Sequence, residues 1–227
     1  AEALEKLDFI NDPEAQARSE QLRAMDICAE AICAYARRHA ELAYLKAASE
    51  RDPQRRKELV RIAEVCSHVP ENPPRNLWEA LQAYWFCHLG VIIELNGWDS
   101  FNPGRLDQHM YPFYKADLES GDLTEEQARE LLQCFWVKFN NQPAPPKVGV
   151  TAAESGTYTD FANINCGGLT PEGQDGVNDF SYLMLDVIDE MRLVQPSSNI
   201  QLSAKNPDRF LKRALRIVRK GWGQPSI

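Results

Sequence analysis

From residue 161 onward, strand-like and helix-like patterns take turns. FANINC is followed by a helical stretch from about Asn178 to Met191, then SNIQLSA, a helix from Asn206-Pro207 to about Lys220-Gly221, and finally QPSI. Strands joined through a helix cannot be hairpin partners, because parallel pairing needs a crossover of this length. Parallel strands also need helices to cover them, so the predicted class is α/β. Gly167-Gly168 stops the first strand, and Gly221 sits where helices commonly end.

The upstream sequence is helical. From Pro13 to about Glu50, Leu22, Met25, Ala29, Ile32, Ala36 and Ala43 recur at helical spacing, after an Asp12-Pro13 start. A second helix is predicted from Asp52-Pro53 to Cys66. Residues 76–95, NLWEALQAYWFCHLGVIIEL, are apolar around most of the helix, which predicts burial on several sides. A short helix through Leu118 follows, and then a capping box of Thr124 and Gln127 opens a helix to about Phe139. NQPAPPKVGVTAAESGTYTD is too punctuated for a regular element and long enough for a functional loop. The expected organisation is a mainly helical outer layer over 1–140 and the first α/β units over 141–227, both within one larger domain.

Charge narrows the partners. With 33 acidic against 25 basic residues and a net charge of −8, the chain has no surplus for neutralising phosphates, so nucleic acid is excluded. Arg51, Arg55, Arg56 and Lys57 lie among acidic neighbours and read as a solvated helix face. No run reaches the roughly 18 apolar residues of a membrane span, and AEALEKLDFI does not resemble a signal peptide. No membrane partner is expected, and a cytoplasmic location is. Cys28, Cys33, Cys66, Cys87, Cys134 and Cys166 form no CxxC pair and no zinc-ligand spacing, so free thiols and no metal site are expected. The absent initiator Met and the abrupt end at GQPSI suggest a piece of a longer polypeptide.

Common motifs are missing: no GxGxxG, Walker loop, HExxH or GxSxG. Gly167-Gly168 with Gly173 and Gly176 follow a strand as a phosphate cradle would, but the spacing fits no phosphate loop and no Lys follows, which favours a turn. Cys166 has no neighbouring His and reads as a structural thiol. Chemistry concentrates in residues 97–114, GWDSFNPGRLDQHMYPFY. There, Pro103-Gly104 sets a turn, and Arg105 and Asp107 are expected to pair with nearby backbone or with each other. Asp99 and Ser100 either contact a small polar substrate or form a side-chain turn.

SFNPGRLDQHMYPFY resembles the S-x-x-x-G-R-[FL]-D-Q-Y-x-Y-P-[FY]-[FY] segment of glycyl radical enzymes, the pyruvate formate-lyase-like family, with His109 in place of the usual tyrosine. NPPRNLWEALQAYWFCHL resembles the helix that precedes it, FANINCGGLTPEGQDGVNDFSYLMLD the first barrel strand and its helix, and PSSNIQLSAKNPDRFL the next strand and helix. The likeness covers about residues 58–227. It implies the N-terminal to middle part of a ten-stranded α/β barrel, made of two five-stranded halves and surrounded by helices.

It also implies chemistry. In that family a glycyl radical, installed by an S-adenosylmethionine-dependent iron-sulfur activating enzyme, generates a cysteine thiyl that takes hydrogen from the substrate. No bound cofactor is expected. The G-C-x-E and R-V-x-G-[FY] motifs are absent from this sequence, and none of its cysteines stands in the radical position, so the segment alone is expected to be inactive. Its implied contribution is a substrate pocket. Asp99-Ser100 stands where dehydratases of the family carry a His-Ser pair, and Phe161, two residues before Asn163, lines the same hollow. A bare Asp99 would repel an anionic substrate unless an arginine elsewhere dominates.

The expected activity is a lyase cleaving a C–S, C–O or C–C bond in a small polar molecule, with the isethionate sulfite-lyase type leading. Diol or hydroxyproline dehydration and arylacetate decarboxylation are the alternatives. The rival from another class is a non-catalytic helical and α/β interaction module. Expected partners are the small-molecule substrate and the radical-SAM activating enzyme, with a homodimer left open.

Overall fold

The structure, a computed structural model, describes residues 2–94, 101–140 and 162–227. It divides into two compact units, Ala1–Pro73 and Pro74–Ile227.

The first unit holds α1 (Glu2–Glu5), α2 (Ala15–Ser49) and α3 (Pro53–His68). Ala36, Ala40, Ala43 and Ala47 form a buried stripe along α2, and Leu59, Ala63, Val65 and Cys66 are the buried face of α3. Alanines at this spacing let two backbones approach closely. Asp52 caps α3 by accepting a hydrogen bond from the Gln54 amide at 2.9 Å, with Pro53 in the first helical position. The expected Asp12 cap is displaced. Its carboxylate accepts from the Glu14 amide at 2.9 Å, but the helix starts only at Ala15. Of the predicted apolar stripe, Ala36 and Ala43 are buried while Met25 and Ala29 are exposed. A 16-residue helix is about 24 Å long and cannot flank all of a 35-residue one.

The second unit runs α4 (Leu77–Glu94), β1 (Gly104–Arg105), α5 (Leu106–Ser120), α6 (Glu125–Asn140), β2 (Asn163–Gly167), α7 (Asp179–Met191), β3 (Ser197–Gln201) and α8 (Asp208–Val218). Its sheet has the order β1-β2-β3, and every pair is parallel. The predicted FANINC and SNIQLSA strands are thus β2 and β3. QPSI contributes less than a strand: only Ser226 pairs, beside Asn199, through Ile200 N–H to Ser226 O and Ser226 N–H to Ser198 O, both 2.8 Å. The two-residue β1 is not predictable from the sequence, because two residues are too short to display alternation.

Most of α4 is buried, as its composition predicts: Leu77, Ala80, Leu81, Trp85, Phe86, His88, Leu89 and Ile92 are all inside. It meets α6 through aromatic edges, with Trp85 and Phe139 rings 5.3 Å apart and His88 and Phe139 rings 4.9 Å apart. The first turn of α4 is capped from outside, by the buried Asp117 of α5 accepting from the Leu77 amide at 2.8 Å. Helix α5 continues past Pro112, beyond the predicted end at Leu118, and stops at Gly121, whose φ is +78°. The capping box forms as predicted: Thr124 N–H donates to Gln127 Oε1 at 2.9 Å, and Gln127 N–H to Thr124 Oγ1 at 3.2 Å. Partly exposed ion pairs join α7 to its neighbours, Arg129 to Glu190 at 2.8 Å and Arg213 to Asp186 at 2.6 Å. Each contributes on the order of 1 kcal/mol or less.

Candidate functional site

Residues Arg105, Asp107 and Gln108 grip the carboxyl end of β2. Asp107, fully buried, accepts from the Gly167 amide at 2.7 Å, the Ser181 hydroxyl at 2.5 Å and the Gln108 amide at 2.9 Å. Gln108 Nε2 donates to Gly167 O at 3.1 Å, and Arg105 Nη1 donates to Leu169 O. Asn178 caps α7 in a reciprocal box with Ser181 and reaches Asp107 O at 3.4 Å. One carboxylate therefore joins α5, β2 and α7. The backbone-pairing reading of Arg105 and Asp107 holds, and Arg105 bonds a carbonyl rather than Asp107.

Burial pushes the Asp107 carboxyl above its ordinary value, against the opposing pull of the Ser181, Gly167 and Gln108 hydrogen bonds. Cys166 lies beside it, buried, its thiol donating to Ser181 O at 3.5 Å. Burial first, and the Asp107 charge second, push that thiol well above the ordinary cysteine value. A protonated, buried thiol is a poor nucleophile, as the structural reading requires. Iodoacetamide is expected to leave Cys166 unlabelled in the native protein and to label it after denaturation, with peptide mass spectrometry as the readout.

The glycines after β2 form a turn. Thr170 N–H donates to Gln174 O, Gly173 N–H to Thr170 O and Gly176 N–H to Gly168 O, each at 2.9 Å. These amides are already used within the loop, which is the opposite of what a phosphate cradle needs. Among the described residues, no group of three His, Cys, Asp or Glu side chains could hold a metal ion. No helix among them is long and apolar enough to cross a membrane.

Strand β3 alternates throughout, and β2 alternates up to Gly167, which is buried. Ile164, Cys166, Ser198 and Ile200 are buried on one face, while Asn163, Asn165, Ser197, Asn199 and Gln201 stand half-buried on the other. Register aligns these polar residues across the sheet. Arg105 pairs with Asn165, Asn165 with Asn199, and Asn199 with Ser226, so four adjacent segments contribute to one transverse row. At the usual interstrand spacing that row spans roughly 14 Å. Asn163 and Ser197 lie one step toward the strand starts, and Asn199 Nδ2 donates to Asn163 Oδ1 at 3.0 Å. A closed barrel of parallel strands is ordinarily packed inside with branched apolar side chains. This face carries none at these positions, so it is suited to lining a polar hollow.

The sequence-predicted pocket residues Asp99, Ser100 and Phe161 lie outside the described residues. Their described chain neighbours meet: Asn102 Oδ1 accepts from the Asn163 amide at 2.6 Å. Sequence reasoning does not bring Asn165, Asn199 and Ser226 together in one row. The available signal is the polar half of the alternation in NINC and SNIQ, which identifies strands before it identifies a lining.

Parallel strands backed by helices on one face and carrying polar groups on the other have the arrangement of one arc of an α/β barrel. The pyruvate formate lyase-like family model matches residues 1–227, and the chain belongs to that family. It is 57% identical to trans-4-hydroxy-L-proline dehydratase of Clostridioides difficile, over 99% of this chain and 28% of that protein. It is 38% identical to isethionate sulfite-lyase of Nitratidesulfovibrio vulgaris, over 100% of this chain and 28% of that protein. The crystal structure of the C. difficile hydroxyproline dehydratase with trans-4-hydroxy-L-proline bound superimposes with a TM-score of 0.93, covering 99% of this chain and 28% of that one. The chain thus has the glycyl radical enzyme barrel fold and spans about 28% of the length of these curated relatives.

Proposed function

We propose that the whole protein is a glycyl radical dehydratase that removes water from a small hydroxylated substrate of the hydroxyproline kind. The observation that carries this reading is the 57% identity to a hydroxyproline dehydratase over nearly the whole chain, against 38% to a sulfite-lyase. The preference accordingly moves from the sulfonate branch to the dehydratase branch. The radical glycine and cysteine are supplied by parts of the protein other than residues 1–227, and a radical-SAM enzyme installs the radical. The protein works in the cytoplasm.

The role of this chain is to shape the pocket. Asp99, Ser100 and Phe161 face the substrate. Ser100 precedes Asn102 by two residues and Phe161 precedes Asn163 by two, and the bond between Asn102 and Asn163 supports placing both arms at one hollow. Arg105, the cation of the polar row, is committed to the Leu169 carbonyl. The Asn and Ser side chains beside it in the row are neutral hydrogen-bonding groups.

The test is anaerobic activation of the full-length protein, followed by assays with trans-4-hydroxyproline and with isethionate. Hydroxyproline consumption is expected with kcat/KM at least about a thousand-fold above isethionate, together with a glycine-centred doublet in the paramagnetic resonance spectrum. Sulfite release without hydroxyproline consumption overturns the assignment.

A further inference from the structure

We infer that Asn165, Asn199 and Ser226 form the surface that recognises the hydroxyl group of the substrate and so set its specificity. This deepens the dehydratase reading, but it depends only on the substrate being an alcohol. The three residues share one register level on adjacent segments and one face of the sheet. The Asn165 carboxamide has no hydrogen-bond partner among the described residues, while Asn199 spends one N–H on Asn163 and keeps its carbonyl oxygen and a second N–H. Ser226 lies beside Asn199 in the row.

An alcohol offers one donor and two acceptors, and carboxamides beside a serine hydroxyl can satisfy all three without burying a charge. The row is also rigid. Asp107 and Gln108 clamp β2 at Gly167, and Ser226 is bonded through its backbone to both Ser198 and Ile200. Groups held this way need little reordering on binding, so their hydrogen bonds convert into discrimination. A pocket in which such groups are desolvated rejects an analogue lacking the hydroxyl, because the groups are then left without partners.

The experiment compares binding of alcohols with their deoxy counterparts in the full-length protein by calorimetry. The pairs are trans-4-hydroxyproline with proline and isethionate with ethanesulfonate. Wild type is expected to favour the alcohol of at least one pair, and Asn165→Ala and Ser226→Ala are each expected to cut that preference roughly five- to ten-fold. The deoxy compound should bind the variants as it binds wild type. Both positions lie on the open face, and circular dichroism checks that the variants are folded. Preference for isethionate over ethanesulfonate without any for hydroxyproline sinks the dehydratase reading and leaves the row standing. Wild type indifferent to the hydroxyl in both pairs overturns the row. So does an undiminished preference in the variants, or a loss of glycyl radical yield with preference intact, which would assign these side chains to another segment of the polypeptide.

Discussion

Asp107→Ala is expected to lower stability by about 2–5 kcal/mol. The substitution leaves the Gly167 amide and the Ser181 hydroxyl without their acceptor in a buried place, and each such orphan costs about 1–3 kcal/mol. It also releases the carboxylate that bonds β2 and α7 together with its own helix. Asp107→Asn keeps one acceptor oxygen and should cost less. Wild type and Asp107→Asn also differ with pH. Because burial raises the Asp107 pKa in the folded state, the protonated carboxyl is favoured by folding. Its stabilising contribution is full below the unfolded aspartate pKa and is lost as pH rises through the raised folded value. The stability of wild type relative to Asp107→Asn should therefore fall across that acidic window and stay level above it. Denaturant midpoints of the two proteins, measured in parallel over pH, give this difference; a gap that widens with rising pH contradicts it.

Gly167→Ala should be almost as damaging, by about 3 kcal/mol. A Cβ there would lie 2.6 Å from the Phe210 ring and 2.9 Å from the Gln201 carbonyl oxygen, at a φ of +82°. Phe210 is fully buried and the carbonyl belongs to β3, so neither can retreat cheaply. Gly121 provides the control. Its φ is +78°, but a Cβ added there would meet nothing within 4 Å, so Gly121→Ala should cost only the backbone strain, on the order of 1 kcal/mol. Equal losses at the two positions would show that packing of Phe210 against β2 contributes little.

Much of the architecture is readable because it depends on local signals. Pro53 after Asp52, the Thr124 and Gln127 pair, and the alternation in NINC and SNIQ each report on a few neighbouring residues, and each element forms where expected. What escapes notice depends on distant residues. β1 exists only because Gly104 and Arg105 find Ile164 and Asn165 across the sheet. QPSI pairs at Ser226 alone, since its pairing is decided by the neighbouring strand rather than by its own composition. The role of Asp107 is legible only in outline: a carboxylate in a first helical turn suggests local backbone partners, but Gly167 and Ser181 cannot be named from sequence. The polar row is hidden for the same reason, because a row across strands depends on register, which no single segment encodes.

The clamp at Asp107 also imposes an order of events during synthesis. Its acceptor oxygens emerge from the ribosome 60 residues before the Gly167 amide and 74 before the Ser181 hydroxyl. At about 5–20 residues per second the carboxylate waits several seconds for partners. Meanwhile α5 and α6 can wind and cap themselves, and the carboxylate stays hydrated until β2 arrives. The nascent chain is thus spared an early buried charge, and the clamp closes only once α7, which carries Ser181, has been made.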